Sequence, residues 1–338
     1  MIPPVEELRA RLHHAAYLAD EALASVLWMA LKLERPLLVE GEAGVGKTAL
    51  AAAAARALER PLLRLQCYEG LDLAQAVYEW NYSRQLLEIR LAEAGAADRA
   101  HLRENLFSEA FLLQRPLLQA IRSPTPTVLL IDEIDRADEA FEAFLLEMLA
   151  EHQVSIPELG TLTALSRPLV VLTSNATREL SDALRRRCLY QFLDYPDLAR
   201  EMAIVQVLVP EAAERLVAEA VAFVQRLRRE DLEKTPGVAE TLDWVRSLFH
   251  LGLGALPADP AVLAATLSAL LKTRADAFQV GTDTVRRLAA GRAVGEDAAL
   301  AAGRPSGEDA ALAAGRPSGE DSALAAGATT GVAGAGAR

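Results

Sequence analysis

The 338-residue sequence predicts an α/β fold, a parallel sheet with flanking helices followed by a small all-helical lid and a tail without a core. Three observations carry this reading. Short apolar runs alternate with stretches of helical period as far as Asp197, the pattern of parallel strands joined by crossover helices. From Asp197 to about Leu288 no strand-like run occurs, and breaks near Pro210, Pro236 with Gly237, and Pro257 with Pro260 divide the segment into helices. The last 48 residues hold 10 of the 20 glycines and almost no bulky apolar side chain, too little to build a core. The expected organisation is an α/β domain at 1–196, a helical domain at 197–290 and a disordered Ala/Gly-rich repeat tail at 291–338.

The elements follow in order. Leu8, Leu12, Leu23, Leu27 and Leu31 lie at helical spacing and predict helix from residue 4 to about 33. The runs PLLVE (36–40), LLRLQ (62–66), TVLLI (127–131), PLVVL (168–172) and LYQFL (189–193) read as buried strands. In the tail, GEDAALAAGRPS begins at Gly295, recurs at Gly307 and returns altered at Gly319. One leucine per repeat gives a solenoid nothing to stack.

Composition narrows the function. Lys and Arg number 35 against 47 Asp and Glu, so the net charge of −12 argues against holding nucleic acid through its backbone charge. No charge-free apolar run reaches the roughly 18 residues of a membrane span, and a soluble chain is expected. The start, MIPPVEELRARL, lacks the basic then apolar pattern of a signal peptide. Cys67 and Cys188 alone make no disulfide framework and no paired-CxxC zinc site, and a cytoplasmic setting is expected. His13, His14, His101, His152 and His250 are scattered without ligand spacing.

Between the first strand and an alanine-rich helix stands Gly41-Glu42-Ala43-Gly44-Val45-Gly46-Lys47-Thr48, a full match to GxxxxGK[ST]. In such a loop the backbone amides turn inward around the β- and γ-phosphates, and the following helix adds its positive end. Lys47 supplies a full charge and Thr48 a metal-ligating hydroxyl. The strand 127–131 runs into Asp132-Glu133. Asp132 is expected to hold Mg²⁺ through its water shell, and Glu133 to orient and deprotonate the attacking water. Asn175, after the strand 168–172, is placed either to reach the γ-phosphate or to close a turn on its own backbone. Arg185, Arg186 and Arg187 precede the last strand, where they serve either as a charge for a neighbouring subunit's nucleotide or as a solvated helix end. Cys67 reads as a small core residue. Trp80, with Tyr78 and Tyr82, reads as a core anchor more than as a contact surface.

Phosphate loop, acidic strand end, polar residue and basic turn, followed by a helical segment, resemble an AAA+ ATPase over about 1–288. Within that class the sequence is similar to the MoxR family at 62–90, 106–121, 128–151 and 183–197. The stretches CYEGLD (67–72), YEWNY (78–82) and KTPGVAETLDW (234–244) look most like the branch that includes CoxD, tied to maturation of carbon monoxide dehydrogenase and related molybdenum hydroxylases. The resemblance implies a hexameric ring binding ATP and Mg²⁺. It implies a partner with a von Willebrand factor A domain, a remodelled client protein, and a β-hairpin within 152–167. It puts Lys47, Thr48, Asp132, Glu133, Asn175 and either Arg186 or Arg187 on the family's motif positions. One departure stands out. Where many MoxR proteins carry a second sensing arginine, this chain reads Gly237-Val238-Ala239-Glu240-Thr241, and Arg246 is the nearest substitute. A nucleotide-gated scaffold with incidental hydrolysis is the alternative, and the intact Glu133 argues against it.

Overall fold

A computed structural model describes residues 2–94 and 106–291. Five parallel strands form the central sheet: β1 (Leu37–Gly41), β2 (Leu62–Gln66), β5 (Val128–Asp132), β8 (Leu169–Ser174) and β9 (Leu189–Leu193). Their order is β2-β5-β8-β1-β9, so β5, β8 and β1 have a strand on either side. These three are buried along their whole length, and largely apolar, because both of their faces are covered.

Side chains sort by the two-residue period of a strand. Leu37, Val39, Val128, Leu130, Leu169 and Val171 pack with helices α1 (Val5–His14), α2 (Glu21–Leu33) and α3 (Lys47–Ala57). Leu38, Leu129, Ile131, Val170 and Leu172 point the other way, into a core shared with α6 (Pro116–Arg122) and α7 (Glu139–Glu151). Cys67 and Trp80 lie buried in that second core. Trp80 stands edge-on to Phe107 at 5.3 Å between ring centres, the anchor its sequence context suggested, whereas Tyr82 is exposed.

The helix expected from 4 to 33 is two helices. α1 stops at His14, Ala16 takes a left-handed φ of 59°, and Asp20 opens α2 by accepting the Leu23 amide at 2.7 Å. Leucine spacing runs across this turn and hides it. A small excursion follows β2: α4 (Leu73–Ala76), β3 (Tyr78–Trp80), α5 (Tyr82–Ala94) and β4 (Leu112–Gln114), with β3 and β4 antiparallel. After α7 comes a second antiparallel pair, β6 (Gln153–Ile156) and β7 (Gly160–Thr163), inside the 152–167 span where the family resemblance puts a hairpin.

Helix α8 (Asp182–Arg187) leads into β9, and from Leu198 the described chain is helical: α9 (Leu198–Leu208), α10 (Glu214–Leu227), α11 (Val238–His250), α12 (Pro260–Thr266), α13 (Arg274–Gln279) and α14 (Thr282–Ala289). These helices have their own core around Phe223, Trp244 and Leu248. Beneath it lies a buried polar knot. Glu201 accepts both guanidinium nitrogens of Arg228 at 2.6 Å, Nε2 of Gln225 at 2.6 Å and the Thr241 hydroxyl at 2.8 Å. From Arg292 onward the repeat tail lies outside the described residues, as does His101. Among the described residues, no helix is long and apolar enough to cross a membrane.

Candidate functional site

The phosphate loop joins the buried end of β1 to α3. Gly46, at the N-cap of α3, has φ 101°, a left-handed conformation that an L side chain rarely takes, and this turn sets the loop amides over the helix start. Lys47 is buried, and its Nζ donates to the carbonyls of Gly41 and Glu42 at 2.6 Å each. Burial draws its pKa below the ordinary lysine value, opposed by the charges of Asp135, Glu42, Asp132 and Glu133.

Beside it, the end of β5 brings a carboxylate to the loop. The Thr48 hydroxyl lies 3.0 Å from Asp132 Oδ1, and the Thr173 hydroxyl donates to the same oxygen at 2.5 Å. Thr173 also accepts the Glu133 amide at 2.9 Å, so the hydroxyl ending the apolar part of β8 ties both acidic residues in place. Glu133 has φ 55°, and its carboxylate pairs with Arg136 at 2.9 Å. Thr48 and Asp132 offer hard oxygen donors in contact with each other, a donor set that suits Mg²⁺ retaining several of its waters.

Asn175 lines the same cleft. Its amide donates to Asp135 Oδ2 at 3.2 Å, and Thr177 gives that oxygen its amide at 3.0 Å and its hydroxyl at 2.6 Å. Asp135 therefore moors the loop that carries Asn175. The cleft, about 780 Å³, runs from the loop to an apolar end made by Tyr17, Leu18, Ile204, Leu208, Val238 and Leu242. Its size and mixture of polar and apolar lining fit a nucleotide.

The helical part meets the loop backbone to backbone. The Ala239 amide lies 3.3 Å from the Gly44 carbonyl, and Glu240 caps its own helix through the Gly237 amide at 3.0 Å. A Cβ on Gly237 would lie 2.7 Å from the Ala43 carbonyl oxygen and 2.8 Å from Gly44 Cα. A side chain has no room at 237, which is a physical reason for glycine at that position. Arg246 does not line the cleft; it is half-exposed and pairs with Asp243 at 3.6 Å.

The structure thus brings Lys47, Thr48, Asp132, Glu133 and Asn175 together. It does not bring the basic turn to the same cleft. Arg185 pairs with the buried Glu40 at 3.3 Å, while the side chains of Arg186 and Arg187 are exposed and their carbonyls are held by Arg35. Residues that spacing did not single out also belong to the site. Arg200, on the first turn of α9, lines the cleft and reaches back to Asp20 at 2.8 Å and the Leu18 carbonyl at 3.1 Å, joining the helical part to the 15–20 turn.

Comparison with known proteins fits this geometry. Residues 36–188 match the family model described as AAA domain, dynein-related subfamily. The chain is also 28% identical over 216 residues to the gas vesicle ATPase GvpN2 of Halobacterium salinarum, a match covering 61% of this chain and 60% of that protein. The chain therefore spans about three fifths of the length of that relative. The phosphate loop, the acidic strand end and strands β1, β2, β5 and β8 all lie within the segment 36–188 that is similar to an AAA domain.

Proposed function

We propose that this protein is an ATP hydrolase that spends the energy of ATP on remodelling or maturing a client protein complex. The observation that carries the reading is one cleft lined by Lys47, Thr48, Asp132, Glu133 and Asn175. In it, residues Gly41 to Thr48 cradle the β- and γ-phosphates, with loop amides as donors and Lys47 as the fixed charge. Thr48 and Asp132 hold Mg²⁺, which neutralises charge on the phosphate oxygens when bound. Glu133 takes the proton of the attacking water, and Asn175 orients that water or the γ-phosphate. Arg186 or Arg187, turned away from their own cleft, serve the nucleotide of a neighbouring copy in a hexameric ring.

The relative's description as an ATPase supports the hydrolytic half of this reading. The client half rests on the resemblance to the MoxR family. The stretches at 67–82 and 234–244 favour maturation of the metal centre of a molybdenum hydroxylase such as carbon monoxide dehydrogenase, beside a partner with a von Willebrand factor A domain in the cytoplasm. A scaffold that binds ATP without needing its hydrolysis gives Glu133 no task. The test is kinetic. Lys47→Ala should abolish nucleotide binding, while Glu133→Gln should keep it and slow turnover by the roughly 10²- to 10⁴-fold attributed to general base catalysis. Turnover by Glu133→Gln at the unmodified rate overturns the assignment.

A further inference from the structure

The Asp132 carboxylate, which on the reading above serves the metal ion, is already in contact with a cation. Its side chain is almost wholly buried, and Arg64 Nη2 donates to its Oδ2 at 2.6 Å. Arg64 lies on β2, paired in register with Leu130, and Gln66, two residues on and so on the same face, stands opposite Asp132. The same Arg64 nitrogen donates to Gln66 Oε1 at 2.7 Å, which steadies the guanidinium over the strand end. Thr48 and Thr173 occupy the other carboxylate oxygen. The Thr48 hydroxyl also lies 3.3 Å from Oδ2, so Asp132 is held by two hydroxyls and one guanidinium, and the charged donor sits closest to Oδ2.

We infer that Arg64 competes with Mg²⁺ for Asp132 and so sets the Mg²⁺ concentration at which the site takes up nucleotide tightly; the inference rests on the Mg²⁺-dependent nucleotide reading given above. Two cations at one carboxylate repel each other, and Mg²⁺ demands a regular shell that a guanidinium on the same oxygen obstructs. Arg64 is able to yield. Its side chain is 52% exposed against 4% for Asp132, so it leaves towards water with little change in its own solvation. Without Arg64, Asp132 would be a buried carboxylate whose direct donors are hydroxyls alone, with the charge of Lys47 acting on it only through space. Arg64 thus has a double effect: it stabilises the empty site and raises the Mg²⁺ requirement for filling it.

The test is a binding experiment on the full chain. The affinity of a fluorescent, non-hydrolysable ATP analogue is measured in EDTA and across a Mg²⁺ titration, for the unmodified protein, Arg64→Gln, Arg64→Ala and Arg64→Lys. Removing a unit charge near the metal should lower the Mg²⁺ midpoint by about three- to tenfold in Arg64→Gln, with affinity in EDTA essentially unchanged. Arg64→Ala should behave in the same way, which secures the result if either variant folds poorly. Arg64→Lys, keeping the charge, should stay near the unmodified midpoint. An equal or higher midpoint in both neutral variants overturns the inference while leaving Mg²⁺-dependent binding intact. Binding that ignores Mg²⁺ in the unmodified protein instead overturns the metal reading itself, and the inference with it.

Discussion

The junction between Gly237 and Gly44 yields a prediction whose size follows from the distances. Gly237→Ala places a methyl group 2.7 Å from the Ala43 carbonyl oxygen, 2.8 Å from Gly44 Cα and 3.0 Å from the Gly44 carbonyl carbon. All three contacts are backbone atoms of the phosphate loop, so no flexible side chain absorbs the clash. Overpacking of this kind costs about 1–3 kcal/mol, and the loss falls on the state in which α11 is docked on the loop. Val238, Ala239 and Leu242 form a wall of the cleft only in that state. Nucleotide affinity should therefore fall by roughly 5- to 150-fold, the range that corresponds to about 1–3 kcal/mol. Gly237 is the N-cap of α11, where exchange for alanine itself costs up to about 1 kcal/mol of helix stability, so the loss of affinity has to be read beside the loss of stability. Equilibrium titration with a fluorescent nucleotide, paired with thermal melting, separates the two. Unchanged affinity in a folded Gly237→Ala protein would refute the argument that the helical part closes the site through this contact.

The other predictions concern burial. Burial pushes the thiols of Cys67 and Cys188 up to about 12, so a thiol reagent at pH 8 should label neither in the folded protein and both after denaturation. Because their folded pKa values are raised, the stability they contribute is fully present below pH 9 and should decline as pH rises from about 9 towards about 12. Glu201→Ala leaves Arg228 buried without its carboxylate and should lose about 3–5 kcal/mol in denaturant unfolding, while Glu201→Gln, which keeps an acceptor, should lose less. Equal losses in the two variants would show that the ion pair itself is not what holds α9 to α10.

Much of this architecture is legible in the sequence because its signals are local. Each of the five sheet strands is a short run rich in apolar residues, and the phosphate loop and Asp132-Glu133 stand at strand ends, where chain order alone brings them to one edge of the sheet. What escaped reading is set by contacts between distant residues or by short elements. The turn at 15–20 is masked because leucines keep helical spacing on both sides, though Asp20 three residues before Leu23 carries the N-cap signal. Strands β3 and β4 are three residues each, too short for alternation to register. The bond from Arg64 to Asp132 spans 68 residues, and that from Arg200 to Asp20 spans 180. The glycine at 237 is visible in the sequence, but the reason for it appears only when Gly237 meets Gly44 in space.

The central claim, that this cleft hydrolyses ATP and is completed by a neighbouring copy, is tested most directly by ATP turnover per subunit as a function of protein concentration. The account predicts turnover that rises steeply with concentration. It also predicts that the Arg186→Ala, Arg187→Ala double variant is inactive alone but regains turnover when mixed with Lys47→Ala subunits that supply intact arginines. Turnover per subunit that stays flat across concentrations, with no rescue in the mixture, would contradict it.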